Sequence, residues 1–224
     1  MMPSTYIYES ETLNAPGLPP VDHLIYSVPD LETGIVAMEG LMGVRAQMGG
    51  QHPGRGSHNA LIGLGEGMYL EIVAPDLTQP RPSRPRWFSL DTIASPRLVT
   101  WAMKSSHLQQ RWQKAFMNGA TFGSISAGAR TRMDGSMLSW EFTDPETVLC
   151  DGLVPFLIDW GDSAHPADSA PLGAKLLSIR AEHPDPDGVR EILRTIDGTL
   201  TVTQASTPAL IARIHTSRGE RELR

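Results

Sequence analysis

Only one cysteine, Cys150, occurs in the 224 residues. A single thiol allows no intramolecular disulfide and excludes a thiolate-rich metal site. Cys150 follows the apolar pair Val148-Leu149 and precedes Asp151, whose anion disfavours a thiolate, so it reads as an inert packing residue rather than a nucleophile. Excess positive charge is lacking too. A formal charge of −6 and a pI near 5.6 leave no basic footprint for nucleic acid, so no such partner is expected. No apolar run approaches the roughly 20 residues of a membrane helix, so no membrane partner is expected either. The first 20 residues lack the basic and apolar regions of a secretory signal, and the expected setting is the cytoplasm. Phosphate loops, dinucleotide fingerprints and nucleophile elbows are missing as well.

What is present is repetition, which is the strongest guide to a fold. After a polar, proline-bearing tail over residues 1–20, one succession of elements occurs three times, over residues 21–76, 97–162 and 174–224. The first copy opens with a strand over 23–28. Asp30 then caps a helix in which Leu31, Ile35, Met38 and Met42 recur at helical spacing, and Gly43 ends it. Strands over 57–64 and 68–73 follow, joined through Gly65-Glu66-Gly67, with a short strand near 44–48. The second copy has a strand over 98–104, a helix capped by Ser106 and ended at Asn118-Gly119, a hairpin turning at Asp134-Gly135, and a last strand over 153–160. The third has a strand over 175–181, a helix capped by Asp187, and strands over 200–204 and 210–216. Proline-rich residues 75–96 and the stretch 161–173 read as loops between the copies. Each copy is too small to bury its own sheet face, so the copies are expected to pack as one domain. An odd copy either packs on the same chain's barrel or pairs with its twin in a homodimer.

Alternation within the strands singles out a few polar groups. His23 shares a strand face with Ile25 and Ser27, and the more apolar set of Leu24, Tyr26 and Val28 is expected beneath the helix. That leaves His23 on the open face. Glu71 lies with Tyr69 and Val73, opposite Leu70 and Ile72; a carboxylate there either points into water or needs a partner. The third position depends on one loop. A two-residue Glu66-Gly67 turn aligns His58 with Glu71, and the reading leans to this; a three-residue loop over 65–67 aligns Asn59 instead. Arg55, in the segment His52-Pro53-Gly54-Arg55-Gly56, is placed to clamp a carboxylate or to sit in a plain surface loop. Trp101 is pocket wall or core, and Asp159 points into a cleft or caps the next turn.

The repeated βαβββ order, Asp22-His23 opening the first strand, and the stretches His52-Pro53-Gly54, Ser57-His58-Asn59-Ala60-Leu61, Tyr69-Leu70-Glu71-Ile72 and Pro155-Phe156-Leu157-Ile158-Asp159-Trp160 together resemble the glyoxalase-like branch of the vicinal-oxygen-chelate superfamily. The resemblance implies an α+β fold in which tandem βαβββ modules form a cupped sheet, or half-barrel, with a third related module added. It further implies a small-molecule pocket and isomerase, lyase or dioxygenase chemistry on an oxygenated metabolite. Superfamily members commonly hold a divalent metal on a His from the first strand and a Glu from the last strand of each module. His23 and Glu71 match in the first copy; Thr100 and Phe156 stand at the corresponding positions of the second, and Ser178 at the His position of the third. Two readings stay open. In one, Zn, Mn, Fe or Ni binds His23, Glu71 and His58, with Glu71 moving a proton. In the other no metal is used, and the protein either works through His23 and Glu71 as an acid–base pair or sequesters a small, partly aromatic ligand.

Overall fold

A computed structural model of the chain describes residues 18–65, 67–131 and 137–224. Most of the expected tail, Glu66 of the first hairpin and the Asp134-Gly135 turn lie outside the described residues.

The first unit comprises β1 (Val21–Ser27), α1 (Leu31–Met42), β2 (Gln47–His52), β3 (Ser57–Gly63) and β4 (Tyr69–Pro75). Helix α1 starts where expected: Asp30 is extended, and its carboxylate accepts from the backbone N–H and the hydroxyl of Thr33. Gly43 closes it in the left-handed conformation that glycine adopts without a Cβ clash, φ 75°. The buried face is Leu31, Ile35, Met38 and Met42, the stripe read from the sequence. The second unit repeats the order with β5 (Arg97–Lys104), α2 (Leu108–Met117), β6 (Ile125–Thr131), β7 (Met137–Thr143) and β8 (Phe156–Asp159). The N-cap position of α2 falls on His107 rather than Ser106 and makes no side-chain cap bond.

The two units share one eight-stranded sheet, ordered β2-β3-β4-β1-β5-β8-β7-β6. In each, the first strand runs parallel to the last, β1 with β4 and β5 with β8, and the two first strands meet antiparallel at the centre. This pseudo-twofold arrangement curls the sheet into a half-barrel. Its convex face carries Leu24, Ile62, Leu70, Ile72, Trp101 and Met103 into a core shared with the helices. Its concave face carries Ile25, Val73, Ala102, Phe142, Phe156 and Ile158.

The third unit has β9 (Ala174–His183), α3 (Pro186–Thr195), β10 (Thr201–Gln204), β11 (Ala209–Thr216) and β12 (Gly219–Leu223). Asp185 rather than Asp187 caps α3, because Pro186, which has no N–H to satisfy, takes the first helical position. The order of elements repeats, but the pairing differs. These strands form a separate sheet, β10-β9-β11-β12, with β9 parallel to β10 instead of to the last strand. It packs on the same chain: Ile179, Ala181, Leu210, Ala212 and Ile214 join the convex-side core. The backbone N–H of Leu98 also donates to the carbonyl of Arg224. Among the described residues, no helix is long and apolar enough to cross a membrane.

Candidate functional site

The concave face of the half-barrel is covered by the segment between β4 and β5. Trp87 and Phe88 of that segment fold back over the strands, held by hydrogen bonds from Trp87 Nε1 to Ser57 Oγ and from Ser27 Oγ to the carbonyl of Phe88. Beneath them lies a cavity of about 40 Å3. Its polar lining is His23, His52, Asn59 and Glu71, and its walls include Trp87, Phe88, Trp140, Phe156 and Trp160.

His23 is held by its neighbour. Adjacent strand residues ordinarily face opposite sides of a sheet. Here the pairing of β1 with β5 shifts between Val21 and His23, a bulge that leaves Asp22 without a cross-strand partner. Bulges re-aim side chains, and Asp22 Oδ1 lies 2.7 Å from His23 Nδ1. Asp22 Oδ2 accepts from Trp160 Nε1 at 3.0 Å and lies 3.0 Å from His165 Nε2. His165 Nδ1 accepts from the backbone N–H of Ala167, so its proton is on Nε2 and points at Asp22. Burial of Asp22 disfavours its charge, but hydrogen bonds from His165 and His23, with their positive charge when protonated, outweigh that and hold its pKa well below the usual carboxylate range. An ionised carboxylate only accepts, so His23 donates through Nδ1. Neutral His23 therefore presents a bare Nε2 to the cavity. Its ring stacks on Tyr69 with centroids 4.5 Å apart.

Glu71 faces that nitrogen. Its Oε2 stands 3.5 Å from His23 Nε2, longer than a good N–H···O bond, so the two groups face each other across a short gap. Its Oε1 accepts from Asn59 Nδ2 at 2.7 Å. Asn59 fits because Gly49, at an irregularity of β2, lies against its side chain; a Cβ there would stand 2.3 Å from Asn59 Oδ1. His52, at the end of β2, completes the group, with Nε2 3.7 Å from Glu71 Oε1 and Nδ1 3.0 Å from Ser57 Oγ. Glu71 is 6% exposed and His23 3%, so the pair works out of bulk water.

The structure separates the sequence-derived candidates. His23, Glu71 and Asn59 converge. His58 does not: Gly63 pairs with Tyr69 and Leu61 with Glu71, a register that turns His58 to the other face, near Asp30. Trp101 is core. It is fully buried on the convex side, and its Nε1 donates to the carbonyl of Leu153. Asp159 lies outside the cavity and accepts from the backbone N–H of Gly161, so it caps a turn. Arg55 is ion-paired with Glu146 and lies over Trp87, 4.9 Å from the ring centroid, supporting the cover rather than reaching the cavity. The sequence does not mark His52, Asp22 and Trp160 as site residues. The His52-Pro53-Gly54 stretch is a visible motif with the composition of a loop, and the bulge that re-aims Asp22 has no signal in strand alternation.

The donors do not fit the four-ligand centre of the superfamily. Thr100 replaces one ligand, and the Phe156 ring, 5.6 Å from the His23 ring, fills the place of another with hydrocarbon. The alternative set of His23, His58 and Glu71 fails because His58 points away. Among the described residues no group of three or more His, Cys, Asp or Glu side chains is arranged to hold a metal ion.

A sequence model of a glyoxalase-like domain matches residues 21–196. No curated protein matches the sequence significantly. Among solved structures, a hypothetical protein from Staphylococcus aureus superposes with a TM-score of 0.68 at 11% identity, covering 90% of this chain and 93% of that one. Methylmalonyl-CoA epimerase from Mycobacterium tuberculosis gives 0.43 at 18% identity, over 67% of this chain and 94% of the epimerase. A Streptomyces coelicolor methylmalonyl-CoA epimerase in complex with 2-nitronate-propionyl-CoA gives 0.45 at 15%, over 63% and 97%. At 11% identity the likeness to the Staphylococcus aureus protein concerns the fold alone.

Proposed function

The chain belongs to the glyoxalase-like domain family of the vicinal-oxygen-chelate superfamily, and from that premise we propose that it is an enzyme moving a proton on a small oxygenated metabolite. The observation that carries this reading is the pair His23 and Glu71, 3.5 Å apart on the concave face and buried beneath an aromatic cover. Asp22 fixes the imidazole with Nε2 free, and Asn59 fixes the carboxylate. Such a pair can take a proton from carbon next to a carbonyl, one group acting as base, and return that proton from the group that then holds it. His52 and the Asn59 amide border Glu71 and are placed to steady negative charge there. Exclusion of water strengthens each of these interactions. Residues 21–196 support this class of chemistry without a metal step, since half of the superfamily's ligand set is absent.

Deuterium wash-in tests the proposal. Short 2-oxo acids and 2-hydroxy ketones are incubated with the protein in D2O and followed by NMR. Exchange at the carbon next to the carbonyl is expected to exceed the protein-free rate, and to fall by about two orders of magnitude or more in His23→Ala and in Glu71→Gln. No exchange above background, or exchange that persists in both variants, contradicts it.

A second reading has its own observation. Trp87, Trp140 and Trp160 stand around the cavity with Phe156 in place of a polar ligand, as suits a protein that sequesters an aromatic molecule. Stoichiometric binding of an aromatic ligand that is neither turned over nor weakened in His23→Ala and Glu71→Gln would favour that reading.

A further inference from the structure

The chamber holding His23 and Glu71, at about 40 Å3, accommodates a reacting group but not a whole metabolite. Beside it lies a second cavity of about 340 Å3, within the range of ordinary ligand sites. Phe88, Pro145 and Phe156 border both. The rings of Phe88 and Phe156, with centroids 5.9 Å apart, form the partition.

Three features of the larger cavity point to a ligand. Its walls mix hydrocarbon from Leu98, Val154 and Leu210 with an exposed arginine, Arg97. Among the described residues the Arg97 guanidinium has no carboxylate partner, whereas the one acid on the lining, Asp151, is paired with His183 Nε2 at 3.2 Å. Backbone strain also gathers here. Of the five described non-glycine residues with left-handed φ, three line this cavity: Phe88 at 56°, Ser89 at 58° and Asp151 at 56°. Such conformations persist only where the surroundings over-determine them. Finally, the third unit supplies part of the wall through Pro208, Ala209 and Leu210.

Building on the proton-transfer reading, we infer that the larger cavity holds the non-reacting part of the substrate, and that the substrate is an organic anion with an apolar body. The body lies against Leu98, Val154 and Leu210, the anionic end meets Arg97, and the oxygenated end passes Phe88 and Phe156 to reach His23 and Glu71. Guanidinium is suited to a carboxylate or phosphate by its planar, paired donors.

The probes are octanoate and octan-1-ol, titrated into the full chain by calorimetry. Octanoate is expected to bind with one-to-one stoichiometry. Arg97→Gln should weaken octanoate by about tenfold, the loss of one charge-assisted contact, and leave octan-1-ol unchanged. Ala209→Phe, which fills the cavity from the third unit, should weaken both probes. Absence of octanoate binding at millimolar concentration overturns the inference, as does octanoate affinity unchanged in both variants. Calorimetry reads binding without turnover. Failure of the wash-in assay therefore leaves this result standing, and failure here leaves the assignment of His23 and Glu71 untouched.

Discussion

Replacing Asp22 by Asn tests how the site is held together. The carboxylate is fully buried and takes three donors: His23 Nδ1 at 2.7 Å, with His165 Nε2 and Trp160 Nε1 each at 3.0 Å. Asn has nearly the same shape but only one acceptor oxygen. Placed where Oδ2 was, that oxygen still accepts from Trp160 and His165, now as neutral bonds. The amide NH2 then faces His23 Nδ1, and the imidazole must give up its Nδ1 proton and carry one on Nε2. Three charge-assisted bonds become three neutral ones, a loss of about 1 kcal/mol each, partly offset because no charge is buried. The expected net cost is about 1–3 kcal/mol, read as a lower urea midpoint with unchanged slope. The pH dependence has a definite sign. The folded pKa of Asp22 lies below its ordinary value of 3.8, so the unfolded chain binds the proton first as pH falls. The stability that Asp22 contributes is complete above that ordinary value and is lost as pH falls below it toward the folded value. The gap between the parent protein and Asp22→Asn should therefore shrink as pH falls below about 4. A variant as stable as the parent at neutral pH, or a gap that does not shrink below about pH 4, would refute the reasoning.

Gly49→Ala should push the Asn59 amide off Glu71, since the new Cβ would sit 2.3 Å from Asn59 Oδ1; a loss of about 1–3 kcal/mol in urea denaturation is expected, and an unchanged midpoint would show that the strand can shift to make room. Trp101→Phe removes the bond to the Leu153 carbonyl and part of a fully buried ring, so about 1–3 kcal/mol of stability should be lost while deuterium wash-in per folded molecule stays the same. A wash-in rate that falls with unchanged stability would return Trp101 to the site. Elemental analysis of protein purified without chelator should find bound Zn, Mn, Fe or Ni well below one per chain; stoichiometric metal lost in His23→Ala would show that the two remaining donors suffice.

Much of this was legible in the chain because alternation and capping are local. The α1 stripe with Asp30 before it and Gly43 after it specified that helix. Period-two alternation placed His23 and Glu71 on one face of strands that the βαβββ order makes neighbours. The choice between His58 and Asn59 was harder, because one residue of loop length inverts the facing of a whole strand, and Leu64 pairing with Met68 settled it. Asp22 is hidden for a related reason: strict alternation sets it against His23, and only a bulge brings the two together. His52 looks like loop in the sequence because β2 runs on through Gly49-Gly50, a pair whose lack of side chains hides the strand pattern while admitting Asn59. The different pairing of the third sheet depends on contacts with the rest of the chain, which the order of elements does not encode. Arg55 and Asp159 had chemically sound readings as ligand groups, but Glu146 and the Gly161 N–H took them up.

The account rests on which nitrogen of His23 carries its proton. A long-range proton–nitrogen NMR spectrum of 15N-histidine-labelled protein, recorded where the imidazoles are neutral, reads this directly. With Asp22 accepting at Nδ1, His23 should show the Nδ1–H tautomer with a bare Nε2 in the parent protein and the opposite tautomer in Asp22→Asn. An Nε2–H signal for His23 in the parent protein would mean that no lone pair faces Glu71, and the proton-transfer site would fail with it.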